Sequence, residues 1–324
     1  MQAIVCEAFG GPEVLAWRDL PDPPPPGDGE LQVRLLARGA QYVDVLMIAG
    51  KYQFRPEPPF IPGGEAAGEV VAIGPGVSGF AIGDRLMTRH SPGSFCTLAN
   101  TKAAHCDHIP AALTLEQAAV FKGAYHTAYH ALLQKGRLQA GDWVLIHGAA
   151  GGIGIAAIQI AKLFGARVIA TASTEEKRAA CLAEGADHAI DHRGGFRDEV
   201  KALTGGKGVD IVYDPIGARV FDESMRCLNW GARLLILGFL GGEPALAKTN
   251  HLLIKGAEAI GVRIGGVSEF QPDLAAANIR ALLALAAEGK LTPRISHRIA
   301  LEDAAAAIRA IIDRNIIGKA VLVG

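Results

Sequence analysis

The stretch from Trp143 to Phe164 constrains the fold of this chain more than any other. Residues 143–147 form a short apolar run that is typical of a buried parallel strand. The run leads into a glycine-rich turn, residues 148–154, and the turn leads into a segment of helical period. Because free backbone N–H groups and the helix dipole both point at such a turn, the pattern predicts an anion site between a strand and a helix.

The glycines of this turn follow the pattern A-x-G-x-x-G, which begins at Ala149. Gly151 lets a backbone approach a pyrophosphate, and Gly154 lets the helix pack close to the sheet. A glycine-rich turn that only packs is the alternative interpretation. The strand before the turn and the helix after it favour a dinucleotide-binding site.

The residues after the second strand indicate which dinucleotide binds. A carboxylate is expected about twenty residues beyond the glycines to hold the ribose 2′-hydroxyl of NAD. Here Ser173 ends the second strand, residues 166–172, and Lys177 follows one helical turn later. A hydroxyl and an ammonium can both bind a 2′-phosphate, which favours NADPH over NADH. Ser173 and Glu176 also form a capping box, a role that competes for the same hydroxyl.

Composition excludes several other classes of protein. A formal charge of −1, with Lys and Arg scattered, gives no electrostatic case for binding nucleic acid or an acidic membrane. A membrane span between Asp142 and Lys162 is disfavoured by four glycines and by the change of period within it. The N-terminus lacks signal-peptide features, and five widely spaced cysteines make no disulfide framework. We therefore expect a cytoplasmic protein.

The length of 324 residues and a change in the secondary-structure pattern along the chain predict two domains. Short β-like runs dominate residues 1–118, including 30–40, and Pro- and Gly-rich turns separate them. Alternating strands and helices follow, with buried strands predicted at 209–214 and 232–238. The sequence thus predicts an α/β protein with a β-rich domain and a doubly wound parallel sheet.

The predicted boundaries assign residues 119–267 to the parallel-sheet domain. A helix near residues 301–313 and a strand near 319–323 do not continue the nucleotide-binding pattern cleanly. We therefore expect residues 268–324 to return to the β-rich domain formed by residues 1–118.

Seven strings of residues resemble one known family, in that family's order and over nearly the full length. The chain resembles the zinc-free quinone oxidoreductase (zeta-crystallin-like) branch of the medium-chain dehydrogenase/reductase superfamily. The matching strings are Phe9–Leu15, Pro62–Gly68, Gly79–Arg85, Ala149–Gly154, Gly185–Asp191, Gly208–Asp214 and Gly318–Lys319.

The resemblance implies a GroES-like catalytic domain and a Rossmann domain inserted before the C-terminal return. It also implies an active site in the cleft between the domains, NADPH as cofactor, and a homodimer paired along the edge of the Rossmann sheet. At the adenosine end, the resemblance implies Gly151, Gly152 and Ile153 at the pyrophosphate and Ser173 and Lys177 at the 2′-phosphate. His192 stands where relatives have a tyrosine beside the adenosine ribose. The residues implied at the nicotinamide half are Gly238, Phe239, Leu240 and Thr127, and Lys319 is implied to reach the cofactor from the C-terminal segment.

Two positions that hold zinc ligands in zinc-containing relatives differ in this chain, where they are Gln41 and Gly64. No C-x-x-C pair occurs, and residues 106–108 (Cys-Asp-His) are expected in a solvated loop. Glu65 is interpreted as a buried structural carboxylate. We therefore expect no metal.

Tyr52 and Gln41 are the candidate catalytic residues that the resemblance implies. The phenol of Tyr52 would hydrogen-bond the substrate carbonyl or the cofactor amide, and a packing aromatic is the alternative. Gln41 stands where relatives often have asparagine and carries one more methylene. For Thr127, a position on a helix surface is the alternative to a contact with the nicotinamide. His126 and His130 are interpreted as packing or surface histidines.

Metal-free chemistry favours substrates that already accept hydride at an electron-poor atom, because positioning and a hydrogen-bond donor then suffice. The first hypothesis is NADPH-dependent reduction of a quinone. Reduction of an activated C=C bond in an enal, enone or acyl thioester uses the same hydride donor and stays open. A cofactor-binding protein with little turnover is the third hypothesis.

Overall fold

The computed structural model describes residues 1–90 and 92–324 and divides them into two compact units. The β-rich unit comprises Met1–Gly123 and Ala286–Gly324. The parallel-sheet unit comprises Ala124–Leu285. The C-terminal segment thus belongs to the same unit as the N-terminal third of the chain.

The described residues form the following strands and helices. The first part of the chain contains β1 (Gln2–Cys6), β2 (Leu15–Asp19), β3 (Glu30–Ala40), α1 (Tyr42–Ile48), β4 (Glu65–Ile73), β5 (Arg85–Arg89), β6 (Leu98–Lys102), β7 (Cys106–His108), α2 (Leu115–Ala118) and α3 (Lys122–Tyr129). The middle contains β8 (Trp143–Ile146), α4 (Gly152–Leu163), β9 (Arg167–Thr171), α5 (Glu175–Ala183), β10 (His188–Ile190), α6 (Arg197–Leu203), β11 (Val209–Asp214), α7 (Ala218–Ser224), β12 (Leu228–Ile236), α8 (Thr249–Lys255), β13 (Glu258–Gly261), α9 (Ile264–Phe270) and α10 (Pro272–Ala287). The last part contains β14 (Ile295–Ala300), α11 (Ala304–Ile312) and β15 (Lys319–Val323).

The parallel-sheet unit is built on six strands in the order β10-β9-β8-β11-β12-β13, and all neighbouring strands in it are parallel. The central strands β8 and β11 are buried, which explains their nearly continuous apolar sequence. The order reverses between β8 and β11, the point where doubly wound sheets bind ligands at the carboxyl ends of their strands. The prediction of a doubly wound sheet is confirmed.

The β-rich unit is built on a sheet in the order β14-β15-β3-β4-β5-β7, with β6 also paired to β3. Its pairs are antiparallel except β14 with β15. The first half of β3 alternates between buried and less buried side chains, as expected for a half-buried strand. The predicted bounds of β3, β11 and β15 coincide with the observed ones.

The C-terminal strand closes the β-rich unit because β15 pairs antiparallel with β3, and Ala320 lies opposite Ala40. The sequence pattern places this return at residue 268, whereas the parallel-sheet unit extends to Leu285. Asn278 on α10 accepts a 2.6 Å hydrogen bond from Gln134 Nε2, which ties that helix to the parallel-sheet unit.

Residues 106–108 and the lengths of the helices bear on two further predictions. Residues 106–108, predicted as a solvated loop, form strand β7, which pairs with β5, so that prediction is wrong. No helix among the described residues is both long enough and apolar enough to cross a bilayer.

Candidate functional site

The glycine turn after β8 brings a helix end close to the sheet. The Ala149 amide donates to the Thr171 carbonyl of β9 at 3.1 Å. A Cβ on Gly154 would lie 2.6 Å from the Ala149 Cα and 2.6 Å from the Gly148 carbonyl oxygen, so no other residue fits without a backbone shift. The third glycine of the pattern therefore fixes how closely α4 approaches the sheet.

The first turn of α4 has the properties of an anion site. Its N-cap is Gly151, and within the described residues no side chain caps the helix. Gly151, Gly152 and Ile153 are all half-buried. The backbone N–H groups at the start of a helix need an acceptor, and a pyrophosphate supplies one. The predicted pyrophosphate residues thus fit a dinucleotide.

The carboxyl end of β9 differs from the sequence prediction in one detail. Thr174 caps helix α5, and its side-chain oxygen accepts from the Lys177 amide at 3.2 Å. The predicted capping box of Ser173 and Glu176 is therefore wrong, and the cap does not use the Ser173 hydroxyl. Ser173 and Lys177 are both half-buried, and position 173 carries no carboxylate.

The segment after β10 carries a charge arrangement that the sequence analysis did not identify. Asp191 accepts from Arg193 Nη2 at 2.6 Å and from Arg178 Nη1 at 3.4 Å. Hydrogen bonds from Arg193, with the charge of Arg178 adding to them, hold the pKa of Asp191 well below its usual range. The acidic group nearest in sequence to His192 is thus neutralised by two guanidinium groups. An arginine two residues after an aspartate was the available signal.

His147 is a buried connector between β8, β9 and α7. Its Nδ1 lies 3.0 Å from Thr171 Oγ1, and its Nε2 lies 2.8 Å from Ser224 Oγ. Burial lowers its pKa to about 3, and the neighbouring His192 adds to the shift. A neutral imidazole with both nitrogens engaged has a structural role.

The segments that follow β11 and β12 are joined by backbone hydrogen bonds. Asp214 Oδ1 accepts from the amides of Ile216 at 2.8 Å and Gly217 at 3.0 Å. The Leu240 amide donates to the Pro215 carbonyl at 3.0 Å. The turn that Asp214 organises therefore holds the segment Gly238–Leu240, which sequence analysis assigned to the nicotinamide half.

The predicted cofactor residues of the parallel-sheet unit meet at one edge of its sheet. They follow the carboxyl ends of adjacent parallel strands, at residues 151–153 after β8, 173 after β9, 192 after β10 and 238–240 after β12. Thr127 lies half-buried on α3, which precedes β8.

In the β-rich unit, Gln41 is the N-cap of α1. Its backbone amide donates to Asp44 Oδ2 at 2.8 Å, and its side-chain Nε2 donates to Glu65 Oε2 at 2.8 Å. The other carboxylate oxygen of Glu65 accepts from the Gly123 amide. Glu65 is buried and engaged on both oxygens, as its interpretation as a structural carboxylate expects.

Lys319 joins this group of residues. It is 8 % exposed, and its charge partners are Glu65 and Asp44. Burial lowers the pKa of Lys319, and the two carboxylates oppose that shift. Sequence analysis assigned Lys319 to the cofactor and did not identify Asp44. The signal for Asp44 was an acidic residue three positions after a helix cap.

Tyr52 lies half-buried in the segment that follows α1. His126 and His130 are buried, and they hydrogen-bond with Asn278 and Gln134. Among residues 1–90 and 92–324, no group of three or more His, Cys, Asp or Glu side chains is arranged to hold a metal ion.

Two family models match the chain. A model described as an alcohol dehydrogenase GroES-like domain matches residues 27–133. A model described as a zinc-binding dehydrogenase matches residues 152–278. The first match lies mostly in the β-rich unit and the second lies in the parallel-sheet unit.

Individual proteins match over nearly the whole length. A quinone oxidoreductase-like protein 2 homolog of Nematostella vectensis is 34 % identical, and the match covers 99 % of this chain and 88 % of that protein. The structure of Escherichia coli quinone oxidoreductase complexed with NADPH is 29 % identical, with a TM-score of 0.92 and full coverage of both chains. The structure of an NAD-dependent alcohol dehydrogenase is 32 % identical, with a TM-score of 0.90 and full coverage of both chains.

The two domain matches occur in the order that the resemblance implies, and the Nematostella vectensis relative is 34 % identical over 99 % of this chain. The chain belongs to the quinone oxidoreductase (zeta-crystallin-like) branch of the medium-chain dehydrogenase/reductase superfamily, a superfamily of oxidoreductases.

Proposed function

We propose that this protein is an NADPH-dependent oxidoreductase that reduces quinones by hydride transfer without a metal. The observation that carries the proposal is the pair of features at adjacent strand ends. The first turn of α4 has a glycine cap, and the end of β9 carries Ser173 and Lys177 in place of a carboxylate. A ribose 2′-phosphate is accepted there because no like charge stands at position 173.

Each predicted cofactor residue has a role in this proposal. NADPH, when bound, supplies the hydride. The amides of Gly152 and Ile153 bind the pyrophosphate, as at other helix N-termini. The Gly151 amide donates to the Gly148 carbonyl at 2.9 Å, and the role of Gly151 is to let the pyrophosphate approach the backbone. The remaining residues are Ser173, Lys177 and His192 at the adenosine end and Gly238, Phe239, Leu240, Thr127 and Lys319 toward the nicotinamide.

The residues at the end of β9 favour NADPH over NADH, although the matched relatives include an NAD-dependent alcohol dehydrogenase. A protein that prefers NAD is expected to hold the two ribose hydroxyls with a carboxylate at the end of the second strand. The Thr174 cap leaves the Ser173 hydroxyl for another acceptor. Lys177 lies in the first turn of α5 and adds a positive charge.

Gln41 and Tyr52 are proposed to act on the substrate as hydrogen-bond donors. Hydride addition to a quinone builds negative charge on a carbonyl oxygen, and fixed donors stabilise that charge. A side-chain amide nitrogen carries two hydrogens, and Gln41 gives one of them to Glu65. The other is the proposed donor to the substrate oxygen, which then takes up a proton from water. The chain holds Gln41 and Gly64 at the zinc-ligand positions of its relatives, which supports catalysis without zinc.

The test of this function is a steady-state assay of NADPH oxidation with three acceptors under identical conditions. The acceptors are a small quinone, a conjugated enal and crotonyl-CoA, and a reaction without acceptor is the control. We expect turnover of the quinone. Turnover only with the enal or the thioester would assign reduction of an activated C=C bond instead. Tight NADPH binding without turnover of any acceptor would assign a cofactor-binding protein.

We also propose that the protein is a homodimer paired along the edge strand β13. That strand ends the parallel sheet, and Leu253, Ile254 and Trp230 are exposed apolar residues on the neighbouring α8 and β12. An open edge with apolar neighbours favours pairing with a second strand. Light scattering after gel filtration should give twice the mass of 33.9 kDa, and a monomer would contradict the proposal.

We place the protein in the cytoplasm. All five cysteines are buried thiols, as expected for a reducing compartment. Fractionation of native cells with an antibody to the protein tests this location.

A further inference from the structure

Three buried charged side chains and the half-buried Gln41 form a polar cluster in the β-rich unit, which we define as Gln41, Asp44, Glu65 and Lys319. Asp44, Glu65 and Lys319 are 2 %, 6 % and 8 % exposed. Charges buried to this degree destabilise a fold unless they are paired and hydrogen-bonded. Packing alone therefore does not explain why charged residues occupy these positions.

The strands place these side chains together. Gly39 at the end of β3 lies opposite Glu65, the first residue of β4. Lys319 is the first residue of β15 and precedes Ala320, which lies opposite Ala40. Gln41 directly follows β3, so the residues of the cluster lie at the same end of the sheet.

Two glycines make this arrangement possible. A Cβ on Gly123 would lie 2.6 Å from Glu65 Oε1, so a larger residue would push the carboxylate away from the amide that it accepts. Gly318 has a φ of +79°, and a Cβ there would lie 2.3 Å from the Arg294 carbonyl oxygen. Gly123 thus leaves room for the Glu65 carboxylate, and Gly318 allows the backbone conformation that precedes Lys319.

Glu65 determines how the Gln41 amide is oriented. An ionised carboxylate only accepts hydrogen bonds, so the Gln41 amide must turn its nitrogen, and not its oxygen, toward Glu65 Oε2. The Gly123 amide occupies the other oxygen and stops the carboxylate from rotating. The ammonium of Lys319 interacts electrostatically with the Glu65 carboxylate and so belongs to the same group of charges.

We propose that Glu65 and Lys319 are positioning residues for the reaction, which act by holding the Gln41 amide so that its second hydrogen faces the substrate oxygen. The inference rests on the proposed function, because it assigns Gln41 as the donor. Asp44 contributes by accepting the Gln41 backbone amide, which fixes where the side chain starts. Without a carboxylate partner the amide can flip and present its oxygen, which repels the developing charge.

A double-mutant cycle with quinone and NADPH tests the inference. The variants are Gln41→Ala, Glu65→Gln and the two combined. Loss of one preorganised donor costs about 100-fold in kcat, so we expect that loss for Gln41→Ala and about tenfold for Glu65→Gln. Because Glu65 acts through Gln41, Glu65→Gln should change kcat less than twofold in the Gln41→Ala background. Equal and additive losses would overturn the inference.

Lys319 is tested by exchange of its charge and by rescue. Lys319→Met should lower kcat about tenfold, and Lys319→Arg should recover most of kcat. A rise in the KM for NADPH with unchanged kcat would overturn the positioning role and support cofactor contact alone. Glu69→Gln is the matched control for Glu65→Gln, because Glu69 also lies on β4 and pairs with Arg85 at the surface. We expect no change in kcat for this control.

A measurement without turnover separates this inference from the proposed function. The Gln41 side-chain amide can be identified in ¹⁵N NMR spectra as the signal that Gln41→Ala removes. We expect Glu65→Asp and Lys319→Met to shift this signal and Glu69→Gln to leave it in place. If neither cluster variant moves it, the inference fails whether or not quinones are reduced. If the signal moves and no acceptor is turned over, only the proposed function fails.

Discussion

The two units of this protein place polar groups in their interiors in different ways. The parallel-sheet unit presents its candidate site mainly through backbone, at a helix end and at glycine turns that follow adjacent strands. The β-rich unit buries charged side chains, including Arg38, Asp44, Glu65 and Lys319. A backbone site needs only local sequence and one close approach. A cluster of buried charges needs partners from distant parts of the chain, and so it depends on the whole unit.

Arg38 gives the largest expected effect and tests the second half of this comparison. It is 0 % exposed and donates to the carbonyls of Cys96 at 2.9 Å, Gly324 at 2.6 Å and Leu35 at 2.5 Å. Arg38→Met keeps much of the volume and leaves these acceptors without their donor, so we expect a loss of about 3 kcal/mol in the free energy of unfolding. Urea denaturation measures it.

The matched control is Arg85→Met, because the Arg85 side chain is 67 % exposed and pairs with Glu69. Exposed ion pairs contribute about 0–1 kcal/mol, so this change should be nearly neutral. Equal effects of the two substitutions would show that buried charges do not distinguish the β-rich unit.

Gly154 tests the first half of the comparison. A methyl group there meets backbone atoms of Gly148 and Ala149 at 2.6 Å, and these atoms cannot move aside as a side chain can. We expect Gly154→Ala to destabilise the protein by about 1–3 kcal/mol and to weaken NADPH binding. Thermal unfolding with and without NADPH measures both effects.

Gly265→Ala in α9 is the control for this substitution, because an added Cβ there meets no heavy atom of the described chain within 4 Å. Alanine is favoured over glycine in helices by about 1 kcal/mol, so this variant should be neutral or more stable. A Gly154→Ala protein as stable as the wild type would contradict the close-packing argument.

His147 predicts how stability depends on pH. Its pKa is about 3 in the folded state against 6.5 without the fold, so the unfolded chain binds the proton first as the pH falls. Its contribution is fully present above pH 6.5 and is lost progressively as the pH falls toward 3. We expect the free energy of unfolding to fall by about 1.4 kcal/mol per pH unit from this group.

The slope of the free energy of unfolding against pH distinguishes the loss of a titrating group from the loss of a hydrogen bond. His147→Gln should flatten the pH dependence measured by urea denaturation between pH 6.5 and 4.5. Ser224→Ala removes a hydrogen-bond partner of the imidazole but no titrating group, so it should lower stability by a similar amount at every pH. An unchanged slope in His147→Gln would refute the assignment.

Lys177 has the smallest expected effect. Removal of one charge-assisted contact with a phosphate costs about 1.5 kcal/mol, or roughly tenfold in affinity. We expect Lys177→Ala to raise the KM for NADPH by about this factor and to leave the KM for NADH unchanged. Lys207→Ala, an exposed lysine of the same unit, is the control. Equal changes for the two cofactors would count against a contact with the 2′-phosphate.

Much of the parallel-sheet unit was predictable because its signals are local. The strand at 143–147, the glycine turn and the helix after it are contiguous, and β11 has the bounds that its apolar run predicts. The cap of α5 was not predictable in detail, because Ser173 and Thr174 are both good caps and the backbone chose the second. Residues 106–108 carry polar side chains but form a strand, because β5 offers them a pairing edge.

The sequence by itself determined the order of the domains, the glycine fingerprint and the absence of a carboxylate at position 173, since each depends on neighbours a few residues apart. Only the tertiary structure decided that Lys319, almost 280 residues from Gln41, lies beside the carboxylates that surround it. The physical reason is that a buried charge is tolerated only where its partners converge, and strand pairing between the two ends of the chain produces that convergence.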